Sequence, residues 1–234
     1  MAISDATGID MPNDFPAAAH NAVVEIFGPY QSRNPQIFSE LAAGWNAVAI
    51  RFKTVANADE RFTASIKSRN AFASSDERHV QEEALFTFFV SGYAAIESLM
   101  YAAFAMGTML SPSNFPMTTP GHLRAISPTT TKNRFSTCFP GTSVEATFST
   151  LIADSNFERW GLIRNVLAHR STPPRHHHVT VGSTAPDRTD WEIMGGLALN
   201  DQTTAGNRPW LATTLKESVE AVAAFARANF PQRP

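Results

Sequence analysis

Arg164, Asn165 and His169 are the residues of this chain whose types and spacing best suit a reaction. Arginine stays charged and forks onto two phosphate oxygens. Histidine exchanges a proton near neutral pH. Together they suit acid–base chemistry on a phosphate ester, in which the histidine moves a proton and the cation offsets charge on the phosphorane. The residues lie in Arg164-Asn165-Val166-Leu167-Ala168-His169, at the end of a helical pattern that Pro173-Pro174 stops. Asn165 and His169 are four apart, so they project about 40° from each other on one face. Arg164 and His169 are five apart, about 140° around the axis. A straight helix does not aim both at one phosphate, so either the helix loosens at His169 or a second subunit completes the site. The competing account is plain: cations at a helix C-terminus are favoured by the macrodipole.

Local charge favours an anionic ligand. From Glu158 to His178 the cations are Arg159, Arg164, Arg170 and Arg175, and Glu158 is the only acid. His169, His176, His177 and His178 add latent positive charge. Such a patch contacts RNA in a salt-dependent way. Glu97 is the lone charge between Ala84 and Leu110, and a buried carboxylate needs a partner.

The Arg164–His169 segment resembles the active-site motif of the HEPN superfamily (higher eukaryotes and prokaryotes nucleotide-binding). Its active members carry an Arg, a polar residue that is often Asn, and then a His, within a helical bundle. Arg170, directly after the His, also resembles this pattern. The segment Ser91-Gly92-Tyr93-Ala94-Ala95-Ile96-Glu97-Ser98-Leu99 resembles the family's second helix, which presents polar side chains towards the motif. The resemblance spans about 35–230, and only the six-residue motif is specific. It implies a HEPN-like four-helix bundle that dimerises with its motifs facing across a two-fold. It also implies a metal-independent endoribonuclease with no cofactor. His169 would transfer the proton, Arg164 clamp the phosphate, Asn165 position, and Glu97 orient the pair; Arg159, Arg170 and Arg175 would support RNA. A toxin or phage-defence role in the cytoplasm, with an antitoxin protein as partner, comes from the resemblance alone. The alternative is a non-catalytic helical module that binds nucleotide, RNA or a protein through the same cleft.

Other chemistry is less well supplied. In a strand His176 and His178 share a face while His177 points away, and two imidazoles with no nearby acid or cysteine make a poor metal site. Cys138 has no evident activating neighbour. Neither a phosphate-binding Gly-rich loop nor a nucleophile elbow is present.

The elements that must position the motif follow from composition and period. The 234 residues suit one domain with an elaboration. A hydrophobic fraction of 43 % can close a core without metals or disulfides, and one cysteine excludes an internal disulfide framework. The net charge of -2 means that nucleic-acid binding needs a local patch. Met1 to Asn13 lacks a basic n-region and reads as a flexible arm rather than a signal peptide. Ala84 to Leu110 is long enough to span a bilayer. Glu97 near its middle would cost about 2.5–3.5 kcal/mol there, so a buried core helix is expected and no membrane contact.

Asp14 to Tyr30 reads as a short helix broken by Gly28-Pro29. Asn34-Pro35 starts a long one to about Ile66, with Leu41, Trp45, Val48, Phe52 and Val55 on one face. Ser74 to Glu77 is a capping box opening a second long helix to about 109. Residues 111–141, with five prolines, read as a surface loop with at most a helical turn near Gly121 to Ala125. Capping boxes at Thr142–Glu145 and Ser155–Glu158 open two more helices, the second running to about Arg170. His178-Val179-Thr180-Val181 and Trp191-Glu192-Ile193-Met194 suggest a small hairpin within an insertion at 175–206. Asn207 and Pro209 start the last helix, striped by Leu211, Leu215, Val219, Val222 and Ala226. The expected fold is therefore all-α, with 14–234 as a single helical domain.

Overall fold

The computed structural model describes residues 10–67, 73–169, 173–178, 188–193 and 197–230. Among these the chain is mostly helical, with eight α-helices, one short 3-10 turn and three strands. The helices are α1 (Ala17–Phe27), α2 (Pro35–Lys67), α3 (Ser75–Leu110), α4 (Pro120–Ala125), α5 (Pro128–Cys138), α6 (Ser143–Ala153), α7 (Ser155–His169) and α8 (Thr203–Asn229). The strands β1 (Arg175–His178), β2 (Arg188–Ile193) and β3 (Leu197–Asn200) form one antiparallel sheet in the order β1-β2-β3. By internal contacts the residues fall into two compact units. One holds 1–53, 94–157 and 212–234; the other holds 54–93 and 158–211.

Local signals explain the helix starts. Asn34 Oδ1 accepts from Ile37 N at 3.3 Å ahead of Pro35. At α3 both arms of the capping box form: Glu77 N donates to Ser74 Oγ at 3.2 Å, and Ser74 N to Glu77 Oε2 at 2.6 Å. At α6 only one arm forms. Thr142 Oγ1 accepts from Glu145 N at 3.4 Å, while the Glu145 carboxylate takes the hydroxyls of Ser136 and Ser149 at 3.0 Å each. The start of α7 is held by Asp154 Oδ1, which accepts from Asn156 N at 2.7 Å.

Four expectations need correction. Residues 111–141 are not one loop: the helical turn expected near Gly121 to Ala125 is α4, and Pro128–Cys138 forms a further helix, α5. Thr119 and Ser127 cap these helices, and Pro120 and Pro128 occupy their first turns, where a missing N–H costs nothing. Gly28-Pro29 does not simply break the first helix but continues it as a 3-10 turn over Gly28–Tyr30. The insertion holds a third strand, β3, that a two-strand hairpin omits; Val179 to Val181 and Met194 lie outside the described residues. The last helix starts at Thr203, and Pro209 sits inside it.

In the first unit a chain of phenylalanine rings forms the core. Phe115 lies 5.1 Å from Phe104 and 5.4 Å from Phe135, which lies 5.4 Å from both Phe148 and Phe225. Gly107 is required beneath it, since a Cβ there would meet the Phe115 ring at 2.6 Å. His20 is buried against Trp45: its Nε2 lies 3.0 Å from the Trp45 carbonyl, and the Trp45 indole donates to the His20 carbonyl at 2.9 Å. Burial holds the His20 imidazole below its usual range.

In the second unit Trp160 of α7 is fully buried beside Phe88 and Phe89 of α3, at 5.3 and 5.0 Å. A Cβ at Gly92 would meet the Trp160 ring at 2.1 Å, so only glycine allows this approach. The Trp160 indole donates to Asn207 Oδ1 at 3.1 Å, and Arg208 pairs with Asp59 at 3.2 Å. The window of α3 apolar enough to cross a membrane is 67 % buried inside the protein, as a core helix is.

Candidate functional site

The motif occupies the last turns of α7, which stays α-helical through His169. Trp160, Ile163 and Val166 face the core and fix the rotation of the helix. Leu167 is half-buried, and Asn165 and His169 are exposed. Arg164 donates from Nη1 to Asn165 Oδ1 at 2.9 Å, and its guanidinium lies over the Tyr93 ring at 5.6 Å. A cation over a tyrosine face is attracted by the ring quadrupole. Gly161 makes room for that tyrosine, since a Cβ there would sit 3.2 Å from its ring. The sequence places Tyr93 in the segment that resembles the helix facing the motif, without singling it out.

Because the helix does not loosen, Arg164 and His169 stay about 140° apart around its axis. Leu162, Asn165 and His169, spaced by three and four, share the exposed side, and Leu162 is 44 % exposed.

The supporting cations are placed unequally. Arg159 is exposed on α7, while Arg170 lies outside the described residues. Arg175 is half-buried at the start of β1 with its guanidinium over the Trp191 indole at 5.4 Å. The histidines correct an expectation: acids do lie near. His176 Nε2 is 3.3 Å from Glu192 Oε2, and His178 Nε2 is 3.1 Å from Asp190 Oδ2. Pairing of β1 with β2 sets His176 opposite Asp190, a juxtaposition made by strand register and invisible in local sequence. His177 is on the other face, with Nδ1 3.1 Å from Thr189 Oγ1. Among the described residues no group of three or more His, Cys, Asp or Glu is arranged to hold a metal ion.

One cavity of this unit borders the motif. It has a volume of about 270 Å³, with Leu167, Trp191, Leu199, Leu85 and Phe86 as apolar wall and His79, Glu82 and Glu83 as polar wall. Phe86 is 43 % exposed. Glu83 is held below the usual carboxylate range by its hydrogen bond with Arg61 and then by that residue's charge; the pair is 2.7 Å apart.

Glu97 is placed in the other unit, in the wall of a cavity it shares with Arg51, Ser98 and Tyr101. Nothing in the local sequence singles out Arg51, because its contacts come from residues 43 and 47 positions away. Comparison of the chain with family models, curated proteins and solved structures finds no match.

Proposed function

We propose that this protein is a metal-independent endoribonuclease of the HEPN kind, acting on RNA as a homodimer. The observation that carries the reading is the placement of Arg164, Asn165 and His169 on the outer turns of α7, with Arg164 bonded to Asn165 and His169 exposed. In this reading the 2′-hydroxyl of a ribose attacks the adjacent phosphorus and the 5′-oxygen leaves, giving a 2′,3′-cyclic phosphate and a 5′-hydroxyl. His169 moves a proton, Arg164 forks onto non-bridging oxygens, and Asn165 sets the direction of the guanidinium. The divergence of Arg164 and His169 around α7 calls for the second copy, so that the arginine of one protomer serves the histidine of the other. Exposed Leu162, on the stripe of Asn165 and His169, gives that contact an apolar anchor. The setting that accompanies this reading is a cytoplasmic toxin or phage-defence effector restrained by an antitoxin protein.

A labelled RNA incubated in EDTA tests the proposal. Cleavage by the wild type alone, leaving cyclic phosphate ends, supports it; His169→Ala and Arg164→Ala are expected to lose about 10²–10⁴-fold in rate. The absence of cleavage over a range of RNAs, or equal cleavage by all three proteins, removes it. A second reading is then favoured by the cavity beside Leu167: its apolar wall, acidic rim and exposed Phe86 suit a non-catalytic module that docks a protein segment.

A further inference from the structure

The first unit contains a concave cavity of about 460 Å³, within the range of roughly 300–1,000 Å³ that small-molecule sites occupy. Its charged lining carries one residue of each sign, on different helices: Arg51 on α2 and Glu97 on α3. We propose that this cavity binds a small zwitterion of the α-amino-acid class, carboxylate on Arg51 and ammonium on Glu97. The inference does not rest on the ribonuclease reading.

Arg51 is held in place from within. Its Nη1 donates to the Ala94 carbonyl at 2.6 Å and to the hydroxyl of Ser98, which is 5 % exposed. A guanidinium carries five donors, so those on Nη2 and Nε remain for a carboxylate, in the forked geometry that arginine favours. Tyr101 is fixed in the same way. It donates to Glu40 Oε2 at 2.6 Å, and burial followed by that bond pushes its phenol well above the usual range, so it remains a neutral donor. The polar wall is therefore set before any ligand arrives, which lowers the ordering cost of binding.

The mixed charge selects the ligand. A simple anion on Arg51 meets the carboxylate of Glu97, and a simple cation on Glu97 meets the guanidinium; a molecule carrying both signs satisfies both. A carboxylate accepts about four hydrogen bonds, so a partner within the protein leaves Glu97 capacity for an ammonium. Space comes from the small residues Ala43, Gly44 and Ala47 of α2, and Ile126 and Pro128 supply apolar wall at the start of α5. That wall suits an uncharged side chain.

The test is calorimetry and thermal shift on the full chain with a panel of L-amino acids, each beside its N-acetyl derivative and its amide. At least one uncharged-side-chain amino acid is expected to bind saturably and raise Tm. Removing either charge of that ligand should weaken it about tenfold or more. Glu97→Gln should weaken the amino acid while sparing its N-acetyl derivative. Ala47→Leu, at a half-buried position, should fill the cavity and abolish binding with the fold intact by circular dichroism. No response to any member of the panel overturns the proposal. So does equal binding of parent, N-acetyl and amide forms, or wild-type binding by both variants.

Discussion

Arg51 and Arg164 are both half-buried helix arginines beside a tyrosine-bearing stretch of α3, and they are held in opposite ways. Arg51 is tied to a backbone carbonyl and a buried serine. Arg164 is bonded to its own sequence neighbour, Asn165, which is exposed, and lies over the face of Tyr93. The first arrangement fixes a charge inside a concave wall, as a binding site for a small molecule needs. The second sets the charge over a tyrosine near the helix end, with the exposed histidine about 140° further round α7, as a site completed by another molecule needs. Truncating Arg51 should therefore disturb the fold, and truncating the exposed Asn165 or His169 should disturb only what the surface does.

The largest effect should come from the residue that holds the motif helix rather than from the motif itself. Trp160→Ala is expected to cost about 3–5 kcal/mol, because it empties the contact with Phe88, Phe89 and Gly92. Urea unfolding measures this; a cost below about 1 kcal/mol would mean that α7 is positioned by something other than this ring. The next effect separates the two arginines. Arg51→Met should cost roughly 1.5–3 kcal/mol through the loss of charged hydrogen bonds. His169→Ala, at an exposed position, should stay within about 0.5 kcal/mol. Equal costs for the two would erase the contrast between a fixed and an open site.

Which parts could be read in advance follows the same division between local and distant causes. The stripe Leu41, Trp45, Val48, Phe52 and Val55 is buried throughout, as is Leu211, Leu215, Val219, Val222 and Ala226, because a helical period is written in neighbouring residues. The Ser74–Glu77 box was legible for the same reason. Helix α5 was not, since only Thr131 and Phe135 of its eleven residues are buried and no stripe announces it. Its proline looked like a breaker when it was a first-turn residue. Strand β3 is four residues long and is defined by its pairing of Leu199 with Trp191, which no local pattern encodes. The motif's residue types were legible, but the Tyr93 ring under Arg164 is far away in sequence. The Arg51 cavity was missed altogether, because what distinguishes Arg51 from an ordinary solvated cation is supplied by Ala94 and Ser98.

The smallest effect bears on the fixed site. Ser127 both caps α5, accepting from Thr130 N at 3.1 Å, and lines the cavity beside Arg51. Ser127→Ala removes the cap and should cost about 1 kcal/mol. Ser127→Asp separates the two roles. Aspartate is as good a cap as serine, and its charge suits the positive end of the helix, so stability should hold at the wild-type level or rise slightly. The same carboxylate puts a second negative charge on the cavity wall. It should weaken a ligand whose own carboxylate sits on Arg51 while leaving its amide derivative unharmed. Paired unfolding and calorimetry curves read both consequences from one protein. Weakened binding of parent and amide alike would show that the wall was merely distorted, and the cavity would then owe nothing to the sign of its charges.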